Sequence, residues 1–166
     1  MRVAIVMGST SDLPKIEPAI TILKEYNVEV DVRCLSAHRA HNGLSAFIEE
    51  TNHNGTEVII AAAGMAAALP GVIAAMTPLP VIGLPINSTL DGVDALLSIV
   101  QMPPGISVAT VGINNGMNAA VMAVQILALG DEALAKRFAD YRATLSEKIV
   151  KANDDLKNVK YKFKVD

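Results

Sequence analysis

Arg2-Val3-Ala4-Ile5-Val6-Met7-Gly8-Ser9-Thr10-Ser11-Asp12 carries the clearest mark of the fold class. After Arg2 the run is apolar up to Gly8, without polar alternation, as in a strand covered on both faces. Gly8 ends it, and Ser11 or Asp12 can cap a helix that reads on to Tyr26. Ile16, Ala19, Ile20 and Leu23 would share one face of that helix, and Pro14 suits its first turn. Pro18 is expected to kink or delay it. A strand buried on both sides that feeds a one-sided helix opens a parallel α/β sheet.

The alternation continues to the end of the chain. Strands are predicted at residues 28–35, 58–62, 80–85 and 107–111. Helices are predicted at 42–53, within 66–76, and at 92–100 and 118–129; Asp131 would cap a last helix over about 131–156. Right-handed crossovers place such helices on both faces of the sheet. Neither repeat nor linker interrupts the pattern, so residues 1–166 are expected to form one domain.

The 166 residues are 51% hydrophobic but only 4% aromatic, with no Trp, so the core is built from Ala, Val, Ile, Leu and Met. A formal charge of -3 argues against nucleic acid or an anionic membrane as partner. Cys34 is the only cysteine, which excludes an internal disulfide and a cysteine-based metal site; it is expected to be a buried, inert thiol. Residues 58–76 are uncharged and of membrane-spanning length, but Gly64, Pro70 and Gly71 interrupt them, as in a buried strand, turn and short helix. The apolar run after Arg2 is too short for a secretory signal, so a cytoplasmic location is expected. The tail carrying Lys160, Lys162 and Lys164 reads as a solvated end.

In a parallel sheet, ligands bind beyond the carboxyl ends of the strands. Three loops fall at that edge. In the first, Gly8 permits close approach, Ser9 and Ser11 offer hydroxyls, and Asp12 suits sugar hydroxyls; the helix that follows presents amides to an anion. A capped turn without ligand would look the same. In the second, Ser36, Ala37, His38 and Arg39 combine a hydroxyl, an imidazole that titrates near neutrality and a guanidinium suited to phosphate. The third, Ala61–Gly71, includes Gly64, Met65, Ala66, Ala68 and Leu69, small or apolar residues that admit a ligand or simply pack a helix. Gly105 and residues 114–118 are expected to complete a wall. His41 and His53 open and close the second helix, and no ligand set for a metal is apparent.

Together these residues resemble a known family, the bacterial 5-(carboxyamino)imidazole ribonucleotide mutases, also called the catalytic subunit of phosphoribosylaminoimidazole carboxylase. The resemblance spans Val3 to about Leu145. It rests on GSTSD at 8–12, SAHR at 36–39, the small-residue loop at 63–71, and above all PVIGLPINSTLDGVDALLSIVQMPPGISVATV at 80–111. It implies a three-layer αβα, flavodoxin-like fold and a homo-octamer with sites shared between subunits. It also implies a small-molecule imidazole ribonucleotide substrate and no metal or organic cofactor. Members move a carboxylate from the exocyclic nitrogen to carbon 4 of the aminoimidazole ring, through carbon dioxide trapped in the site. By this resemblance Ser9, Ser11 and Arg39 hold the phosphate and nucleotide, Asp12 holds ribose hydroxyls, and His38 shuttles the proton.

The chain departs from the family at two places. The usual Ala-Gly-Gly-Ala-Ala-His-Leu-Pro-Gly is here Ala63-Gly64-Met65-Ala66-Ala67-Ala68-Leu69-Pro70-Gly71, so a glycine is replaced by Met65 and a histidine by Ala68. The usual Ser-Ala-His-Arg-Thr-Pro-Asp continues after Arg39 as Ala40-His41-Asn42, and His41 is a candidate to replace the missing imidazole. A related class that carboxylates aminoimidazole ribonucleotide directly also lacks the third-loop histidine. It typically has lysine in place of Arg39, however, and lacks the Leu-Leu-Ser-Ile-Val-Gln-Met signature found at 96–102. The alternatives to the mutase are therefore this carboxylase, a lyase, and a divergent nucleotide-binding relative with weak or different activity.

Overall fold

A computed structural model describes residues 1–159. Five parallel strands form one sheet: β1 (Arg2–Met7), β2 (Glu29–Cys34), β3 (Val58–Ala63), β4 (Val81–Pro85) and β5 (Ala109–Thr110), in the order β2-β1-β3-β4-β5. The helices are α1 (Leu13–Glu25), α2 (His41–Thr51), α3 (Ala68–Ala74), α4 (Val93–Val100), α5 (Gly116–Leu127) and α6 (Glu132–Leu156). The tail lysines 160, 162 and 164 lie outside the described residues.

Strand side chains alternate between faces, and here each face has its own core. Val3, Ile5, Val58, Ile60, Ile82 and Leu84 pack with Ile16, Ala19 and Leu23 of α1 and with Ala119, Ala120, Ala123 and Val124 of α5. Ala4, Val6, Ile59, Ala61 and Val81 face the other way, onto Leu44, Phe47 and Ile48 of α2, Leu69 and Ile73 of α3, and Ala95 and Ile99 of α4. This produces the three αβα layers. Many core residues are small, which lets helices lie close to the sheet.

Three expectations change. Helix α1 has Asp12 at its N-cap position as expected, but without a side-chain capping bond. A 3-10 turn (Thr10–Asp12) capped by Ser9 precedes it, and the helix runs on through Pro18 to Glu25. Strand β5 shrinks to two paired residues. Cys34 is exposed rather than buried, because it ends an edge strand that has a neighbour on one side only. The uncharged 58–76 segment folds as β3, a turn and α3. Among the described residues, no helix is long and apolar enough to cross a membrane.

Candidate active site

Strand order reverses between β1 and β3, and their carboxyl ends diverge into a crevice there. A cavity of about 490 Å³ occupies that place. The β1–α1 turn contributes Gly8, Ser9, Ser11 and Asp12, and the β2–α2 turn contributes Ser36, Ala37, His38 and Arg39. The end of β3, the β3–α3 loop and the first turn of α3 supply Ala63, Gly64, Met65, Ala66, Ala67, Ala68 and Leu69. Three loops distant in sequence thus meet at one edge.

The first two loops are tied by Arg39. Its Nη2 donates to the Gly8 carbonyl at 3.2 Å and its Nε to Ser36 Oγ at 3.5 Å. A guanidinium has five N–H donors, so others remain for an anion. In the first loop, Ser11 Oγ donates to Ser9 Oγ at 2.8 Å, and the Ser11 amide donates to the same oxygen at 3.3 Å. Ser11 Oγ also lies 3.4 Å from Asp12 Oδ1, so one hydroxyl links the Ser9 and Asp12 side chains. His38 lies on the same rim and is exposed.

Partial burial pushes the Asp12 carboxyl up from its ordinary value, opposed by hydrogen bonds from the Ser11 side chain and the Ser9 backbone. A carboxyl raised in the folded state favours folding below its unfolded value, and that contribution disappears as pH rises through the raised value. Ionised Asp12 therefore opposes folding at neutral pH. The variant Asp12→Asn is expected to melt above the wild type at pH 7, with the difference closing towards pH 4. Thermal melts at both pH values check this; a lower melting temperature at pH 7 would refute it.

The third loop is apolar and tightly held. A methyl group on Gly64 would stand 3.0 Å from the Ile86 carbonyl and 3.2 Å from Ser88 Cβ. The Ala67 amide closes a turn onto the Gly64 carbonyl at 3.0 Å. Met65 and Ala67 take φ of 55° and 45°, in the left-handed region that costs an L-residue roughly 1–2 kcal/mol.

Ser88 also lines the cavity, a residue that local reading of the sequence does not single out. Its signal is topological: it lies three residues beyond Pro85, where β4 ends beside β3. Gly105 belongs elsewhere, to a hollow near the start of β4 with Pro80 and Val81. Asn114 braces the β4 loop from behind, its Oδ1 accepting the Asn87 amide at 3.0 Å. His41 starts α2 and is not part of the cavity wall, and His53 pairs with Glu49 on the surface. His38 is thus the cavity's histidine, and His41 does not replace the imidazole absent at Ala68. Among the described residues, no group of three His, Cys, Asp or Glu side chains gathers as a metal site.

The same loops and sheet recur in known proteins. Residues 2–148 match the family model described as AIR carboxylase. The chain is 48% identical over 157 residues to the N5-carboxyaminoimidazole ribonucleotide mutase of Methanocaldococcus jannaschii, covering 95% of this chain and 98% of that protein. It is 46% identical to the phosphoribosylaminoimidazole carboxylase of Saccharomyces cerevisiae, covering 96% of this chain but 28% of the longer yeast protein. The crystal structure of Treponema denticola PurE superposes with a TM-score of 0.86 at 30% identity, covering 94% of this chain and 98% of that one. With nearly the whole chain matched in both sequence and backbone, it belongs to the AIR carboxylase family.

Proposed function

We propose that this chain is the mutase of de novo purine biosynthesis that converts 5-(carboxyamino)imidazole ribonucleotide to 4-carboxy-5-aminoimidazole ribonucleotide, an isomerase that needs no cofactor. The observation that carries the reading is the division of one cavity into a polar half, with Ser9, Ser11, Asp12, Ser36, His38 and Arg39, and an apolar half built by residues 63–69. Arg39 and the serine hydroxyls bind the phosphate, and Asp12 accepts from ribose hydroxyls. Gly8 and Ala37 leave room for the ligand to approach. The ring then lies against Gly64, Met65, Ala66, Ala68 and Leu69, whose apolar groups keep water from it once the nucleotide is bound.

The bond between the exocyclic nitrogen and the carboxylate carbon breaks, and its electron pair returns to nitrogen. Ring carbon 4 attacks the released carbon dioxide. His38 takes the carbon 4 proton, restoring aromaticity, and the exocyclic nitrogen gains a proton. Atoms balance without any added reactant.

A second reading is the direct carboxylase, a lyase, supported by Ala68, which leaves the third loop without an imidazole. Incubation with each nucleotide separates the two. Conversion of the carboxyamino compound without added bicarbonate supports the mutase. Dependence of aminoimidazole ribonucleotide carboxylation on bicarbonate supports the carboxylase. Binding without turnover of either nucleotide supports a divergent relative.

The reading includes one domain over residues 1–166, a cytoplasmic location, and a homo-octamer with neither nucleic acid nor membrane as partner. Val93, Leu97 and Val100 are exposed along one side of α4 at helical spacing, and Leu90 is exposed in the turn before it, which supports subunit contact there. Light scattering that finds a monomer would overturn the octamer.

A further inference from the structure

We propose that Met65 is the substrate-contacting residue that closes the apolar half of the cavity over the imidazole ring and keeps the released carbon dioxide from water. The proposal rests on the mutase reading.

Met65 is 60% exposed, so it gains little from the core. It nevertheless holds a left-handed backbone, φ 55°, which favours glycine. Strain of this kind in a long apolar side chain that gains so little from burial points to a role at the site it borders. No neighbour in the loop can take that role. Ala66, Ala67 and Ala68 carry only methyl groups, and Leu69 is committed to the core at 3% exposed. Gly64 has no room for a side chain, as Ile86 and Ser88 stand against it.

The chemistry asks for such a group. With phosphate and ribose on Arg39, the serines and Asp12, the ring reaches the third loop. Carbon dioxide, once its bond to the exocyclic nitrogen has broken, must stay beside ring carbon 4 until the new carbon–carbon bond forms. Escape leaves aminoimidazole ribonucleotide as a dead-end product. The methionine thioether is unbranched, polarizable and adaptable, and so suits the ring face in both ground states.

The test compares wild type, Met65→Gly and Met65→Leu supplied with the carboxyamino nucleotide, with both product nucleotides separated and counted. Met65→Gly is expected to melt no lower than wild type, because glycine relieves the left-handed strain. Its KM should rise about ten-fold with the loss of apolar contact, and the share of aminoimidazole ribonucleotide should rise at the expense of the carbon 4 carboxylate. Met65→Leu should restore most of the coupling. A Met65→Gly enzyme with wild-type KM and wild-type product ratio overturns the proposal. If the wild type binds aminoimidazole ribonucleotide but converts neither nucleotide, the mutase reading fails separately. Equilibrium binding of that nucleotide to wild type and Met65→Gly then decides whether Met65 contacts the ring, and equal affinities overturn the contact.

Discussion

Replacing His38 by asparagine is expected to lower kcat by about 10²–10⁴-fold, the range ordinarily lost with a general acid–base group. Asparagine keeps a polar side chain on the exposed rim of the cavity, so binding should suffer little and KM should stay within a few-fold of wild type. It cannot accept the ring proton. The same variant should lose exchange of the carbon 4 proton of aminoimidazole ribonucleotide with deuterated water, a readout independent of carboxylate movement. His41 and His53 stand away from the cavity and offer no substitute. Turnover within a few-fold of wild type would remove His38 from the mechanism.

The second large effect is on stability. Gly116 is the first residue of α5, and a Cβ there would stand 2.2 Å from the Lys15 carbonyl oxygen in α1. No side-chain rotation relieves a clash with backbone, so the two helices must separate. Gly116→Ala is therefore expected to destabilise the protein by about 3 kcal/mol, at the upper end of the usual cost of overpacking. Helix propensity alone predicts the opposite sign, a gain of up to about 1 kcal/mol. Urea denaturation reads the sign directly, and a stabilised variant would show that the helices yield at no cost. Because α1 follows the Ser9–Asp12 turn, nucleotide affinity should fall as well.

Much of the candidate site is legible in the sequence alone. Gly8–Asp12 and Ser36–Arg39 stand out because they set hydroxyl, imidazole, guanidinium and carboxyl groups directly after apolar strands. The place of such loops follows from the rule for parallel sheets. Ser88 is not legible, because nothing in its own neighbourhood distinguishes it from an ordinary loop serine. Gly105 misleads for a related reason: a glycine reads the same before β5 as after it, yet the two ends of a strand lie on opposite edges of the sheet. The exposed Cys34 is another such case. A place in a predicted strand suggests burial, but an edge strand has a neighbour on one side only.

The alternation of strands and helices, the two-sided burial of β1, β3 and β4, the chemistry of the first two loops and the family are all written in the amino-acid order. Periodicity and residue type within single segments encode them, because each turn or strand responds first to its own neighbours. The order β2-β1-β3-β4-β5, the contact of Gly116 with Lys15, the left-handed backbone of Met65 and the exclusion of His41 from the cavity emerge only in the folded chain. Each of these depends on packing between segments far apart in the chain, whose combined free energy no single segment expresses.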